Sequence, residues 1–405
     1  MKIPKKPART ILLLALITCL SYAPLLQAQR GSESQQLSRA ADRSRQQEAR
    51  LANDPFVGIT ENGSVQKGLF EIESTGVSTD SIQKAAEAFI DTLSESQKKD
   101  TLHPIDSPEW RQWMNQHSYV RWGIGFNEMG SKQRELGFDL LRSSLSDEGF
   151  KLARDIMRLN HTLGEMSGRM QEYGEWAYWI TIMGEPSATE PWGWQIDGHH
   201  LIINFFILRD QIVATPTFVG SEPVIAEDGK FKGVTILQDE QNKALAFAQS
   251  LTPKQQSKAI IRHTKPGNDN QTEAWKDNTI IPYEGIPVSE LNNKQTQALL
   301  EVIGLYTGYM NDGHAKVRMS EIKEHWDDTY FAWRGPTDDN AVFYYRIHSP
   351  VALIEFDHQN PVGIRRQFPE RKPIRQHIHA VIRTPNGNDY GKDLLRQHRE
   401  KHHSH

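Results

Sequence analysis

The sequence predicts an α+β protein in which antiparallel sheet blocks are flanked by helices. Three observations lead there. Helix-start signatures recur along the chain, strand-like alternation is confined to two blocks, and the helices lie around those blocks rather than between single strands. The helix signatures come first. Ser94-Glu95-Ser96-Gln97, Thr252-Pro253-Lys254-Gln255 and Asn292-Asn293-Lys294-Gln295 each place a capping oxygen three residues ahead of Gln, with Leu93, Leu251 or Leu291 just before. Such an oxygen satisfies backbone N–H groups that a helix start leaves orphaned. Ser146-Asp147-Glu148 after Leu145 is a looser version. Helices are expected over 81–92, 95–102, 132–142, 147–168, 240–249, 253–261, 289–309 and 318–326.

The first strand block runs through Trp176–Met183, Trp192–Ile196, Leu201–Leu208 and Ile212–Phe218, with turns at Asp197-Gly198 and Arg209-Asp210-Gln211. The second holds Tyr330–Arg334, Val342–His348, Val351–Asp357 and His377–Arg383, with Ser349-Pro350 as a tight reversal.

Length and composition bound the function. The 405 residues are 37% hydrophobic and 24% charged, which is globular and excludes collagen, rods and polytopic membrane proteins. Residues 1–28 carry Lys2, Lys5, Lys6 and Arg9 and no acid, so their removal takes the formal charge from −4 to −8. An acidic chain has no footprint for a phosphate backbone, so nucleic acid is not an expected partner.

Met1–Arg9 is a basic segment and Ile11–Leu20 a short apolar one, the pattern of a secretory signal peptide over 1–28 with cleavage after Ala28. The expected location is secreted or periplasmic, without stable membrane insertion after processing. A lipoprotein anchored at Cys19 and an uncleaved anchor are the alternatives. Cys19 is the only cysteine, so the processed chain can form no disulfide, and a metal site must use His and carboxylates. Residues 29–54 read as a polar tether or at best a weak surface helix, 55–395 as one large domain, and 396–405 as a His-rich disordered tail.

Alternation in the second block sorts titratable residues onto one face. His377, His379, Val381 and Arg383 share a face; so do Val351, Leu353, Glu355 and Asp357, and so do Tyr344, Arg346 and His348. A two-residue reversal at Ser349-Pro350 sets Tyr344 across from Glu355. Antiparallel pairing of the next strand then brings Glu355 near His379 and Asp357 near His377. His-x-His with carboxylates suits a divalent transition metal (Zn, Fe, Mn or Cu), whose nitrogen and oxygen ligands lie at ~2.0–2.2 Å. The competing reading is a polar, hydrogen-bonded sheet face without metal.

The other candidate stretch is Trp192–His200. His199 reads as a satisfied core imidazole, whereas His200 is the better site residue. Trp192 and Trp194 on a Gly/Pro-broken stretch are expected to form an aromatic wall for a small molecule, with Trp333. Ser221 lacks the glycine two residues on that a nucleophile elbow needs, and no glycine-rich phosphate loop is present.

These residues also carry a family resemblance. Gly193-Trp194 through Gly198-His199-His200-Leu201, residues 215–223, Phe331-Ala332-Trp333-Arg334-Gly335, Arg346-Ile347-His348-Ser349-Pro350 with Ile354-Glu355-Phe356, and His377-Ile378-His379 through Asn388-Asp389-Tyr390-Gly391 to His398 resemble the domain-of-unknown-function 3500 family. The resemblance implies one continuous domain over most of 80–390 and supplies no activity. Ser221 stands where it leads one to expect a small residue such as Ala.

Two functions follow as expectations. The first is an exported metal-dependent or acid–base enzyme. Glu355, His348 and Arg383 are its catalytic residues, His377, His379 and Asp357 its metal ligands, and His200 and Arg346 its binding residues. The second is an extracytoplasmic small-molecule or carbohydrate binding protein with a pocket walled by Trp192, Trp194 and Trp333 and no catalysis. A structural domain without a ligand is the third, bland reading.

Overall fold

The computed structural model describes residues 38–51 and 53–402, so the expected signal peptide, with Cys19, lies outside the described residues. Helix α1 covers 38–51. It docks on the domain, where the sequence suggested a tether or at best a weak surface helix: the buried Gln47 amide donates to the carbonyls of Arg111 and Trp113. Next come α2 (Asp80–Ile90), α3 (Glu95–Thr101), strands β1 (Leu102–His103) and β2 (Ile124–Gly125), then α4 (Ser131–Ser144) and α5 (Asp147–Ser167). The first sheet block is β3 (Tyr178–Met183), β4 (Trp192–Gly198), β5 (Leu201–Leu208), β6 (Gln211–Val213) and β7 (Thr217–Ser221). Helices α6 (Gln238–Ser250) and α7 (Pro253–Ala259), strands β8 (Ile260–Arg262) and β9 (Ile286–Pro287), and helices α8 (Asn293–Thr307) and α9 (Asp312–Glu324) separate it from the second. That block is β10 (Tyr330–Arg334), β11 (Tyr344–His348), β12 (Leu353–His358) and β13 (Ile378–Arg383), followed by α10 (Lys392–His402).

The capping logic holds at three expected starts. Ser94, Thr252 and Asn292 each accept the backbone N–H three residues on, and Gln97, Gln255 and Gln295 reach back to the cap N–H. Helix α5 starts on the Ser146 hydroxyl and stops at Gly168, whose φ of 69° is the left-handed geometry that suits glycine. Its buried stripe includes Ala153, Ile156, Met157 and Leu163, at helical spacing.

The two blocks are one mixed sheet of 13 strands, ordered β1-β3-β4-β5-β7-β13-β12-β11-β10-β8 along its main path. The join is antiparallel on both sides of β7, which pairs with β5 and with β13. One face carries the larger core, built from Trp194, Ile196, Phe205, Val219, Ile354 and Ala380 against α4, α5, α6 and α8. The opposite face is covered by loops and α10, with a second apolar cluster around Trp113, Phe206, Phe218 and Leu395. Each such side chain contributes ~1.5–3 kcal/mol on burial.

Four local expectations are corrected. The first block's fourth strand is split into β6 and β7, because Pro216 has no N–H for the ladder. The β4–β5 turn is His199-His200, since Gly198 pairs with Leu201 inside the ladder. The reversal after β11 spans four residues, because the Ser349 hydroxyl accepts the N–H groups of Val351 and Ala352 and pulls both into the turn. Residues 396–402, expected to be disordered, belong to α10, with Leu394 and Leu395 in the core and His398 Nε2 3.2 Å from Glu190.

Candidate metal centre

The join between the blocks brings three histidines together. His200 is the second residue of the β4–β5 turn, held at φ 65°. A left-handed residue costs ~1–2 kcal/mol for most side chains, and His is among those that adopt it most often. His379 lies within β13, and His377 immediately precedes that strand. Across the ladder from His379 stands Gly220 of β7. A Cβ there would collide with the Ile378 carbonyl and lie 3.2 Å from the His379 ring, so glycine is what lets the imidazole lie over this strand.

The three Nε2 atoms converge: His200 to His379 is 3.0 Å, His377 to His379 3.1 Å and His200 to His377 3.3 Å. Nδ1 of His379 lies 2.7 Å from the Glu273 carboxylate, and Nδ1 of His377 lies 2.7 Å from the Asn360 carbonyl. A carbonyl and an ionised carboxylate can only accept, so each of these Nδ1 atoms carries the proton. Burial alone would raise the pKa of Glu273, but contact with His379, Asn270 and Lys276 holds it below the usual range. In a neutral ring with its proton on Nδ1, Nε2 is a bare lone pair, and the Nε2 atoms of His377 and His379 face one another. His200 can bring one proton, which cannot serve all three edges. Adding a proton to His377 or His200 is opposed by burial, which lowers His377 to about 4 and His200 well below its ordinary value. A shared cation satisfies all three nitrogens at once. Tetrahedral ligands at ~2.0–2.1 Å stand ~3.3 Å apart, close to the edges observed.

The surroundings are built to hold these rings. His199 stacks on His200 with centroids 4.0 Å apart and bonds Asn160 at 2.8 Å, as a satisfied core imidazole should. The Phe218 ring stands edge-on to His379 at 4.9 Å. Glu222 lies 3.9 Å from His377 and binds the N–H groups of Val362 and Gly363, fixing the loop that supplies Asn360.

Residues 75–392, which include all three histidines, match a family described as a protein of unknown function (DUF3500). The chain belongs to the DUF3500 family. Neither curated proteins nor solved structures gave a match.

Within this DUF3500 domain the other expected site residues fall elsewhere. Both registers differ from expectation by two: the four-residue reversal pairs Tyr344 with Asp357, and the next ladder pairs Glu355 with Val381 and Asp357 with His379. The shared face survives, since two residues is one full strand period, but the neighbours change. Glu355 accepts from the Gln271 and Thr272 N–H groups, the Thr272 hydroxyl and Tyr344, whose hydroxyl is 2.6 Å away. Asp357, expected as a metal ligand, pairs with Lys265 at 2.8 Å and accepts the Asp269 N–H, while burial pushes its pKa up to about 7. Arg383 is held by Asp277, Asp389 and the Thr272 carbonyl, and Arg346 by Glu284. These groups anchor the 265–284 segment rather than joining the histidines. His348 is buried against Tyr283, at 4.6 Å between ring centroids.

The expected aromatic wall is not formed. Trp192, Trp194 and Trp333 are buried in the helix-side core, with indole N–H groups bonded to the Ser187 carbonyl, the Ser144 hydroxyl and the Gly335 and Pro336 carbonyls.

Sequence reasoning missed Glu273, Glu222 and Asn360. Glu273 and Asn360 act from loops without periodicity, and Glu222 from just past the end of β7. Only Glu222 lies within a stretch that carries the resemblance, residues 215–223.

Proposed function

We propose that this chain is a metalloenzyme with one divalent transition metal, held by Nε2 of His200, His377 and His379, that activates water for attack on a small molecule. The observation that carries the reading is the convergence of three imidazole nitrogens within 3.0–3.3 Å while two of their Nδ1 atoms are committed to acceptors. Ligating histidines are typically oriented in this way by a carboxylate or carbonyl behind them, which fixes the tautomer and makes the ring more basic. Three neutral ligands leave the ion its full charge, which favours lowering the pKa of bound water over neutralising the ion, and they leave a position for that water. Glu273, with 23% of its side chain exposed, is more open than His379, at 8%. It orients His379.

Zn, Fe, Mn and Cu all fit this donor set. The alternative of an aromatic-walled binding protein has no comparable support, since its tryptophans are buried. Export completes the proposal, on the basic and apolar segments of residues 1–28. Among the described residues no helix is long and apolar enough to cross a membrane.

The test is metal analysis of the full chain purified without an affinity resin. About one equivalent of a transition metal per chain is expected, and none in a chain that folds normally would overturn the reading. N-terminal sequencing of the exported protein checks the rest: a chain starting at Gln29 is expected, and one retaining Met1 in the cytoplasm would contradict export.

A further inference from the structure

The same strands that hold the histidines form, on their other face, the floor of a pocket. Leu201 and Ile203 of β5, Val219 of β7 and Ile354 of β12 line it from the sheet, and α5, α8 and α9 roof it. Its volume is about 70 Å³. That is roughly half of an apolar cavity that takes benzene, and suits an occupant of roughly four non-hydrogen atoms.

The lining is mixed, and one of its buried polar groups stands unbonded. His314 of α9 is 2% exposed, and its Nε2 has no partner among the described residues. The other buried polar side-chain atoms of the lining do have partners. Tyr306 bonds Tyr345, Tyr309 bonds Glu240, and Thr215 bonds Thr384. Arg318, one turn beyond His314, pairs with Glu321 and donates to the Val351 carbonyl, so its charge is already compensated. Burial lowers the pKa of His314 and keeps the ring neutral. An apolar void and an unbonded buried nitrogen each destabilise a fold, and a single occupant removes both.

We propose that this cavity is a second binding site, for a small uncharged molecule with an apolar body and one hydroxyl or carbonyl group that bonds His314 Nε2. The site is independent of the metal centre, which lies on the opposite face.

The test uses the full chain labelled with nitrogen-15 in histidine, titrated with 1-propanol, and separately exposed to xenon as an apolar probe. 1-Propanol is expected to shift the His314 Nε2 resonance saturably. Ala153→Leu, which fills the cavity from α5, should raise the half-saturation concentration at least tenfold. His314→Leu should keep xenon binding, read from xenon density in pressurised crystals, and lose the preference for the alcohol. A shift that stays linear and is unchanged by Ala153→Leu would overturn the proposal. So would crystals in which xenon stays out and His314 bonds only an ordered water that 1-propanol does not displace; the crystal result decides the matter even if Ala153→Leu fails to fold.

Discussion

Two clusters of buried polar side chains share one face of the sheet, and they differ in a single respect. In the bank formed by Tyr344, Arg346, Glu355, Asp357 and Arg383, each charge is met by protein. Glu355 receives donors from Gln271, Thr272 and Tyr344, and Arg383 is gripped by Asp277 and Asp389. In the corner formed by His200, His377 and His379, the outer nitrogens of two rings are met by protein, while the three inner ones meet only each other. Both are buried, the bank at 0–1% exposure and the histidines at 4–6%. What separates them is where the partners lie: the bank's charges are paired with protein groups, whereas the inner histidine nitrogens converge on one another in a set that could hold a metal ion. Titratable residues alone do not mark the candidate site; the convergence of three unmet nitrogens does.

The comparison can be broken by substitution, and the bank should show the largest effect. Glu355→Ala leaves the Thr272 and Gln271 N–H groups and the Tyr344 hydroxyl without their acceptor, and should cost ~3–5 kcal/mol in urea unfolding. Metal bound per folded chain should not change. A loss of metal without a loss of stability would move Glu355 into the site.

His348 sharpens the same contrast through pH. Burial, then Arg346, lowers its pKa to about 3. The unfolded chain therefore takes up this proton near pH ~6.5 while the folded chain resists it. The stability His348 contributes is full above pH ~6.5 and is lost as pH falls toward 3, at ~1.4 kcal/mol per pH unit. His348→Phe should remove one proton from that slope in acid unfolding curves and leave metal content alone. An unchanged slope would mean that His348 is already protonated in the fold.

The smallest effect is expected at the C-terminal helix. His398→Ala loses a contact to Glu190 and should cost no more than ~1 kcal/mol, with no change in bound metal. A fall in metal content would place a ligand in α10. Deleting residues 396–405 is a different experiment, because α10 packs Leu394 and Leu395 into the core and truncation would disturb that packing.

How much of this was legible depends on what each feature rests on. Helix starts such as Ser94 and Asn292 are local chemistry, and the sequence shows them directly. The shared face of His379, Glu355 and Arg346 follows from strand periodicity and survived a wrong register, since the error was a whole period. The neighbours across the ladders did not survive: the Ser349 hydroxyl sets the length of the β11–β12 turn, and the β12–β13 register is set across the long 359–377 connection, both in three dimensions. His200 meets His379 only because β7 pairs with both β5 and β13, a long-range join between blocks that no local pattern encodes. Glu273 reaches His379 from a loop, where periodicity gives no warning. Trp192 and Trp194 looked like a wall because glycine and proline interrupt their stretch, yet the strand buries both.

The central claim is that the three inner nitrogens share a metal ion. The most direct measurement is the melting temperature of wild-type chain and His379→Ala, each in chelator and in excess zinc, with copper, iron and manganese as further arms. An ion that binds only the folded state adds ~2.7 kcal/mol at a hundredfold excess over its dissociation constant. The wild type should therefore melt higher with one of these metals than in chelator, and His379→Ala should lose that difference along with its bound metal. If His379→Ala instead lowers the melting point by the same amount in chelator and in every metal, by a hydrogen bond's worth of ~1 kcal/mol, the three histidines are a polar corner of the sheet and the account is wrong.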